Sequence, residues 1–497
     1  MENRGCGIFL HISSLPSGQG IGCFGRGAYN FVDFLQSCGM KYWQFCPLNP
    51  TGFGDSPYQS PSTFAGNQYF IDLEDFVATE LLQKHDLNAL RALPNSLVSF
   101  GELYERFWPI LRVAFENFLL SRAQVDDFEN FCQKSFWWLD DYATFMGLRD
   151  KFNGKQWPEW PKKFFDFDMA VAHILPDAQV VKSIVFHKFL QWKFDQQWKK
   201  LKAFANGKGI SLIGDVPIFV GADSADVWAN RKFFKLKQDG TPNFAAGVPP
   251  DAFSEVGQLW GNPVYDWKIL QGDSFSWWMK RVKRCLELCD VLRLDHFRGF
   301  SSHWEIPMPA ANAIGGTWVP GPGVQFFESM ANTFPSAKFI AEDLGILSED
   351  VTKLLEMTGI PNMSVLHFAF DGNNSNKYLP HEHKKNSVLY LGTHDNNTTW
   401  GWFSSVTDDS RHQIRRYLRS SGHDITWDLI KAAYGSPSNL LILNLSDILN
   451  LGTEARFNTP STQFGNWQWR MTTEQFHSLC DNKIPEYLRD LNWLYGR

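Results

Sequence analysis

Three short apolar segments of the sequence each end in a carboxylate. The first is Val291–Asp295, and because side chains alternate along a strand, Arg293 and Asp295 share one face. A guanidinium one pleat away favours the ionised carboxylate, which is the form that a nucleophile requires. His296 and Arg298 follow directly. This concentration of polar groups at a strand end favours a functional site over a buried ion pair that only closes the floor of a barrel.

The second and third segments repeat this arrangement. Glu342 ends Phe339–Glu342 and precedes a glycine turn, although a carboxylate in this place could also cap the next helix. His394 and Asp395 follow a third strand candidate, Val388–Gly392. Adjacent strand residues point to opposite faces, so this His–Asp pair alone is a poor metal chelate. The sequence therefore predicts carboxylates at three strand ends.

Three carboxylates of this kind fit glycosyl chemistry. One ionised carboxylate can attack an anomeric carbon while a protonated one donates to the departing oxygen. The third can bind ring hydroxyls, stabilise positive charge and keep its neighbour protonated by repulsion. On these residues alone, an aldolase or isomerase barrel stays open.

The elements that must position these residues are eight short apolar segments, typical of strands buried on both faces. They are Gly7–Ile12, Tyr42–Leu48, Ile210–Val216, Val291–Asp295, Phe339–Glu342, Val365–Phe370, Val388–Gly392 and Leu440–Leu445. Helices are predicted between several of them, at Gly27–Cys38, Phe275–Leu288, Val324–Asn332 and Ser348–Met357, the last with a cap at Ser348. The alternation predicts a (β/α)8 barrel, in which catalytic groups collect at the carboxyl ends of the strands. A doubly wound sheet is the alternative, but no GxGxxG motif follows any of the eight segments.

The gaps between the strand candidates are uneven. We expect one catalytic barrel over residues 1–497, with a largely helical insertion at about 65–205 between the second and third strands. Periodic apolar residues over Leu103–Leu120 and Ile184–Phe204 predict its helices. A further insertion, also expected to be largely helical, is predicted at about 220–288, between the third and fourth strands, and it carries a loop rich in glycine and proline at 247–267.

The composition excludes several classes of protein. The chain is 44% hydrophobic and 20% charged, so it can bury a large core. A net charge of −6 without a basic block gives no electrostatic footprint for nucleic acid, and no apolar run reaches the length of about 18 residues that a membrane helix needs. Eight scattered cysteines without a CxxC pair indicate structural thiols, and together with the absence of a secretory signal they predict a cytoplasmic protein. Twenty-one tryptophans, many beside Gly, Pro or Asn, are compatible with a surface that binds sugars or other flat ligands.

The three carboxylate segments, RLDHFRGF, IAEDLG and GTHDNNT, resemble those of the amylomaltases, the 4-α-glucanotransferases of glycoside hydrolase family 77 in the α-amylase superfamily. The similarity spans almost the whole chain and includes LHISSLPSGQGIGCFG, GFGDSPYQSPSTFAGNQYFIDL, GDVPIFVGADSADVWAN and GTEARFNTPSTQFGNWQWR. RxDH alone would indicate only the superfamily, whereas the long loop motifs and the GNWQWR tail are specific to this family.

The resemblance implies a role for each candidate residue. Asp295 corresponds to the nucleophile, Glu342 to the acid/base and Asp395 to the transition-state stabiliser. The resemblance also implies sugar-binding positions at Arg293, His296, His394, Tyr58, Asp215, Trp260 and Asn262, with Asp371 as a further candidate for contact with a sugar hydroxyl. The expected reaction moves a segment of an α-1,4-glucan to the 4-hydroxyl of glucose or another glucan, with retention at the anomeric carbon.

Two positions depart from the family pattern. Ala252, followed by Phe253, stands where an aromatic residue usually follows PPD, which bears on how the 247–267 loop closes over the donor. Phe53 stands in place of a tyrosine of a secondary glucan-binding groove. Neither departure touches the three carboxylates, so the chemistry is expected to survive.

Two other functions stay open from the sequence. The carboxylates do not decide whether water or sugar takes the intermediate, so an α-1,4-glucan hydrolase is the first alternative. A glucan-binding protein without catalysis is the second, and three intact carboxylates disfavour it. The expected partners are maltooligosaccharides and fragments of glycogen or starch, with no nucleic acid and no membrane. No cofactor and no metal are expected, and the histidines of the 381–383 segment, beside two lysines, are interpreted as solvated surface.

Overall fold

A computed structural model describes residues 4–121, 124–251, 254–345 and 348–497. Within these ranges, the strands are β1 (Gly5–Phe9), β2 (Tyr42–Gln44), β3 (Ser211–Pro217), β4 (Phe244–Val248), β5 (Gln258–Pro263), β6 (Val291–Asp295), β7 (Ser302–Pro307), β8 (Thr317–Pro320), β9 (Lys338–Ala341), β10 (Asn362–Val365), β11 (Ser387–Tyr390) and β12 (Leu440–Asn444). Eight of them form a sheet in the order β10-β11-β12-β1-β2-β3-β6-β9, with parallel pairing throughout, and the sheet curls into a barrel. The other four form an antiparallel sheet in the order β5-β4-β7-β8.

The two ends of the parallel sheet, β9 and β10, meet at a seam. The Ala341 amide donates to the Pro361 carbonyl across 2.9 Å, and the Met363 amide donates to Asp343 Oδ1 across 2.8 Å. A side-chain oxygen thus takes a place that a backbone carbonyl holds elsewhere in the sheet. These bonds close the barrel at the last residue of β9 and two residues beyond it.

The barrel interior shows why its strands are continuously apolar. One set of side chains points into the lumen, where Ile213, Val291, Ile340, Met363, Val388, Tyr390, Leu440 and Ile442 form a compact cluster. The alternate set, including Leu212, Leu292, Leu389 and Leu441, packs outward against the helices. Both faces of each strand are therefore buried, as expected for a parallel sheet covered by helices.

The helices, in chain order, are α1 (Arg26–Ser37), α2 (Leu73–Ala78), α3 (Asn88–Arg91), α4 (Phe100–Ser121), α5 (Val125–Lys151), α6 (Phe167–Ile174), α7 (Ala178–Gly207), α8 (Ala225–Ala229), α9 (Trp267–Gly272), α10 (Ser276–Leu288), α11 (Arg298–Ser301), α12 (Val324–Thr333), α13 (Glu349–Thr358), α14 (Thr399–Ser405), α15 (Asp408–Leu418), α16 (Ile425–Gly435), α17 (Leu445–Ile448), α18 (Thr473–Asp481) and α19 (Ile484–Leu494). Helix α1 shows how a barrel helix forms. It buries Ala28, Phe31, Val32 and Leu35, an i, i+3, i+4, i+7 stripe that faces the sheet.

All eight predicted strands are present, and the (β/α)8 barrel is confirmed. The predicted strand Val365–Phe370 lies too late along the chain. The observed strand β10 covers Asn362–Val365, and a 3-10 turn over Leu366–Phe368 follows it. The polar Asn362 and Ser364 hid its start, because they interrupt the apolar run. Ser348 stands at the N-cap position of α13, but its side chain makes no capping hydrogen bond.

The segment between β2 and β3 is helical, with α4, α5 and α7 as its longest elements. Both periodic stretches on which that prediction rested lie inside helices, Leu103–Leu120 in α4 and Ile184–Phe204 in α7. The boundaries of the two insertions, about 65–205 and 220–288, stay a prediction.

The segment that follows β3 differs from a largely helical insertion. It carries β4 and β5 before α9 and α10, and β5 lies inside the 247–267 segment that the sequence marks as a loop. Its sequence, QLWGNP, contains glycine and proline, which weaken a strand prediction. The antiparallel sheet is completed by β7 and β8, which come after β6.

Other sequence-based interpretations have mixed outcomes. The cysteines are free thiols, five of them buried, with Cys480 exposed. The interpretation of the 381–383 segment as solvated surface is wrong for His383, which is buried and bonds through its ring nitrogens to Ser436 Oγ and the Tyr378 carbonyl, each at 2.8 Å.

In the described parts of the chain, no single helix is long and apolar enough to cross a membrane. One bent pair of helices, Phe167–Ile174 with Ala178–Gly207, has the length and composition of a membrane span, and this rests on length and composition alone.

A fully buried arginine joins the elements behind the carboxyl ends of the strands. Arg281 of α10 donates to Thr63 Oγ1 at 2.7 Å, to the Ile218 carbonyl at 2.9 Å and to the Pro217 carbonyl. Its guanidinium also lies 4.5 Å from the centre of the Trp278 ring. Arg281 therefore ties the end of β3 to the loop after β2.

We expect Arg281→Ala to lower the free energy of unfolding by about 3 kcal/mol, because it leaves buried acceptors unsatisfied and opens a cavity. Thermal unfolding of the variant beside Lys280→Ala, an exposed position on the same helix, measures the difference. Equal melting temperatures for the two variants would contradict this role.

Candidate active site

Polar side chains converge at the carboxyl ends of four barrel strands. Asp215 lies in β3 and Asp295 ends β6, while Glu342 comes directly after β9. Asp395 lies in the loop that follows β11. Because parallel strands present their carboxyl ends at one rim, these four carboxylates from distant parts of the sequence meet there.

Arg293 holds two of these carboxylates. Its Nη1 donates to Asp215 Oδ2 at 2.5 Å and to Asp295 Oδ1 at 2.8 Å. Arg293 and Asp215 are buried, whereas the Asp295 side chain is 26% exposed. Burial alone would lower the pKa of Arg293, but the charges of Asp215 and Asp295 raise it well above its ordinary value. Arg293 is thus a fixed cation that binds Asp295 through Oδ1, while the Asp295 side chain stays partly exposed.

Glu342 lies in a different environment. The His296 amide donates to its Oε2 at 2.8 Å, and the Leu344 amide donates to its Oε1 at 3.0 Å. His296 has a φ of 52°, in the left-handed region, which turns its amide towards Glu342. Burial and, after it, the nearby charge of Asp295 together raise the pKa of Glu342 to about 8, although Arg293 and the two amide hydrogen bonds act in the opposite direction. The raised pKa favours the protonated form of Glu342, and the neighbouring Asp295 side chain is hydrogen-bonded to a cation.

The loop that carries His394 and Asp395 is held by the last part of the chain. Asn458 Nδ2 donates to Asp395 Oδ1 at 2.7 Å, and the Asn458 amide donates to the His394 carbonyl at 3.1 Å. Arg456 Nη2 donates to the Asp395 carbonyl at 3.0 Å. Sequence reasoning missed Asn458 and Arg456. They lie inside the GTEARFNTPSTQFGNWQWR motif, but no strand end or spacing distinguishes them from its other polar residues.

Tyr58 connects the two sides of the site. Its hydroxyl donates to Asp215 Oδ2 at 2.8 Å and lies 3.0 Å from His394 Nε2. The Tyr58 and His394 rings stack with their centroids 5.4 Å apart, and Trp467 packs at 5.7 Å from Tyr58. The structure therefore brings Tyr58, Asp215 and His394 together, and it adds Trp467, which the sequence did not single out.

The remaining predicted residues differ in their surroundings. The Trp260 ring contacts the His296 ring, with the two ring centroids 4.9 Å apart. Asn262 is buried, and its amide is occupied by the protein, since Nδ2 donates to the Val220 carbonyl at 2.9 Å and Oδ1 accepts from Gln59 at 2.8 Å. Asn262 thus supports the cleft wall from behind.

Two of the predicted residues lie apart from this cluster. Asp371 is exposed and accepts from the Asn373 amide at 2.9 Å, and no contact within the described residues joins it to the three carboxylates. Phe53 is 72% exposed. Ala252 and Phe253, where the 247–267 segment departs from the family pattern, lie outside the described residues.

Two buried polar atoms of the site, Asp215 Oδ1 and His296 Nε2, have no hydrogen-bond partner within the described structure. A buried polar atom without a partner is costly, so these atoms are natural contacts for ligand hydroxyl groups. Within the described ranges, no group of three His, Cys, Asp or Glu side chains could hold a metal ion. The arrangement offers one carboxyl group with a raised pKa, one carboxyl group bound to a fixed cation, and further carboxyl groups and rings around them.

Comparison with known proteins agrees with this chemistry. A family model described as 4-alpha-glucanotransferase, glycoside hydrolase family 77, matches residues 10–475. The 4-alpha-glucanotransferase of Streptococcus pneumoniae is 41% identical over 500 residues, which cover 100% of this chain and 98% of that protein. The 4-alpha-glucanotransferase of Thermus thermophilus is 41% identical over 478 residues, which cover 94% of this chain and 95% of that protein. The solved structure of the amylomaltase from Streptococcus agalactiae in complex with acarbose has a TM-score of 0.95 at 37% identity and covers 99% of both chains.

Proposed function

Since the chain belongs to the family of 4-alpha-glucanotransferases, glycoside hydrolase family 77, we propose that Asp295, Glu342 and Asp395 carry out its transfer reaction. The protein is an enzyme of the glycosyltransferase kind, and its reaction is glucan transglycosylation. The amylomaltase of Streptococcus agalactiae was solved with acarbose, which supports an α-glucan as the ligand of the corresponding cleft here. The substrates we propose are α-1,4-linked maltooligosaccharides.

In the first step, Glu342 donates its proton to the glycosidic oxygen while Asp295 attacks the anomeric carbon. The bond from the anomeric carbon to the glycosidic oxygen breaks, and the leaving glucan departs with the proton as a free 4-hydroxyl. Arg293 occupies Asp295 Oδ1, so Oδ2 forms the new bond. The product is a covalent glucanyl–Asp295 ester, as in other retaining enzymes that act on glycosides.

In the second step, Glu342 is a carboxylate and accepts the proton from the 4-hydroxyl of an acceptor glucan. The acceptor oxygen attacks the anomeric carbon and releases Asp295, which restores the α-1,4 linkage. Asp395, fixed by Asn458, faces the positive charge that develops on the sugar in both steps. Retention requires the Asp295 and Glu342 carboxyl groups to work at about 5–5.5 Å from each other.

The observation that carries this proposal is the contrast between the two neighbouring carboxyl groups. Burial and the charge of Asp295 hold the proton on Glu342, while Arg293 binds Asp295 directly. A double displacement needs one carboxyl group that donates a proton and one that attacks, and the different environments of Glu342 and Asp295 support this division of roles.

The proposal predicts the alkaline side of the pH profile. The free enzyme needs the protonated form of Glu342, whose pKa is raised to about 8, so kcat/KM is expected to fall about tenfold per pH unit above pH 8. The measurement is kcat/KM for maltotriose between pH 5 and pH 10, with unfolding followed at each pH. A decline that already begins near pH 5, where an ordinary glutamate loses its proton, would contradict the assignment.

The proposed reaction itself is tested with maltotriose as the only substrate. Transfer gives glucose and a ladder of longer maltodextrins while the number of reducing ends stays constant. Hydrolysis gives only shorter sugars with rising reducing ends, and that result would replace the transferase by an α-1,4-glucan hydrolase.

A further inference from the structure

The wall of the cleft that carries Trp260 is an irregular edge strand. Strand β5 lies at the edge of the antiparallel sheet and pairs only with β4 within that sheet. The register pairs Gly247 with Leu259 and Ala245 with Pro263, so Ala246 alone faces the stretch from Trp260 to Asn262. Gly261, in the middle of this stretch, has a φ of 79°, which glycine adopts without strain. Such bulges bend a strand and re-aim its side chains beside active sites.

The bulge places the Trp260 side chain against the catalytic groups. The Trp260 ring contacts the His296 ring edge to face, with centroids 4.9 Å apart. His296 follows Asp295 in the chain, and its amide binds Glu342. A displacement of Trp260 therefore changes the space beside His296, next to the carboxyl groups that we propose act on the glucan.

A glutamine from another loop holds this bulge in place. Gln59, in the loop after β2, donates from Nε2 to the Trp260 carbonyl at 3.1 Å and to Asn262 Oδ1 at 2.8 Å. Asn262 extends this hydrogen-bond network to the loop after β3, because its Nδ2 donates to the Val220 carbonyl at 2.9 Å. The Gln59 and Asn262 side chains together thus join the loops after β2 and β3 to the edge strand β5. The neighbouring residue, Tyr58, contacts Asp215 and His394, so the same loop fixes both the floor and the wall of the cleft.

We propose that Gln59 is a positioning residue that determines how the glucanyl intermediate divides between a glucan acceptor and water. Gln59 makes no described contact with Asp295, Glu342 or Asp395, so it acts through Trp260 and not on bond cleavage itself. Transfer requires that an acceptor is held in attack geometry while water is excluded, and a wall held in one place provides both. Loosening the wall admits water, which needs no positioning platform. This inference rests on the proposed function, since it concerns the second step of the same reaction.

The test uses two substitutions of Gln59 and one control. Gln59→Glu keeps the shape of the side chain but loses both Nε2 donor bonds and places an acceptor against the Trp260 carbonyl. Gln59→Ala removes the side chain altogether. Gln133→Ala, at an exposed position on α5, controls for the loss of a glutamine far from the cleft. Each variant is incubated with maltotriose, and released glucose and new reducing ends are counted separately. The kcat/KM for fluoride release from α-maltosyl fluoride reports the first step, because fluoride leaves before the intermediate reacts further.

We expect both Gln59 variants to raise the ratio of hydrolysis to transfer by about tenfold, while fluoride release stays within about threefold of the unmodified enzyme. Gln133→Ala should leave both quantities unchanged. An unchanged ratio in Gln59→Glu and Gln59→Ala would overturn the inference, and so would a proportional fall of fluoride release and transfer in both. If Gln59→Ala does not fold, Gln59→Glu decides by the same criteria. Rising reducing ends with the unmodified enzyme would instead refute the proposed transferase reaction, so the two failures are distinguishable.

Discussion

Asp295→Asn reduces transfer from maltotriose by about 10⁴-fold or more, because an amide oxygen cannot form the ester on which the first step depends. The substitution preserves the shape of the side chain, and the amide oxygen can still accept from Arg293 Nη1. The loss therefore reports the missing nucleophile and not a collapsed site. The measurement is the initial rate of glucose release from maltotriose, with α-maltosyl fluoride as a second donor.

A comparison of maltotriose with α-maltosyl fluoride separates a missing nucleophile from a poor leaving group. A better leaving group does not restore a missing nucleophile, so Asp295→Asn remains inactive on α-maltosyl fluoride as well. Asp409→Asn, an exposed position on α15, is the matched control and should retain full activity. Turnover by Asp295→Asn within tenfold of the control would show that another group attacks the anomeric carbon.

Glu342→Gln has the second-largest expected effect, a loss of about 10²–10⁴-fold on maltotriose, because the glucan leaving group departs without a proton. Fluoride is a good leaving group without protonation, so the kcat/KM for fluoride release from α-maltosyl fluoride should fall far less. In this variant the intermediate has no base to activate an acceptor. Added azide, which needs no base, should take over the second step and give an α-maltosyl azide.

The pH dependence provides a separate check on Glu342. If its raised pKa causes the alkaline decline, the residual activity of Glu342→Gln on α-maltosyl fluoride shows no such decline near pH 8. An alkaline limb of unchanged position in this variant would assign the titration to another group. A loss of similar size on both donors would contradict the role of Glu342 as the proton donor to the leaving oxygen.

The central part of the site was predictable because it depends on local rules. Alternation along one strand places Arg293 and Asp295 on the same face, and their hydrogen bond confirms this. Their position at the end of β6 then follows from the barrel, whose eight apolar strands are also visible in the sequence. The roles of the carboxylates followed from the family resemblance and stay predictions until they are tested.

The residues that support the site were not predictable in this way. Asn458 contacts Asp395 from 63 positions away in sequence, and Gln59 reaches Asn262 across 203 positions. Nothing near either residue indicates its partner, because the partner is set by how the loops cross above the barrel. The bulge in β5 was hidden for a similar reason: the glycine that allows it also weakens the strand pattern.

The seam between β9 and β10 has a consequence for motion in the barrel. Elsewhere neighbouring strands share a ladder of backbone bonds, but here the described contacts include one backbone bond and one bond to the Asp343 side chain. Opening the barrel along this line would break fewer of the described hydrogen bonds than opening it between two paired strands. Glu342 lies between the two residues that close the seam, Ala341 and Asp343. Any opening there would move the Glu342 carboxyl group relative to Asp295 on the neighbouring strand, so closure of the barrel and the spacing of these two groups are linked.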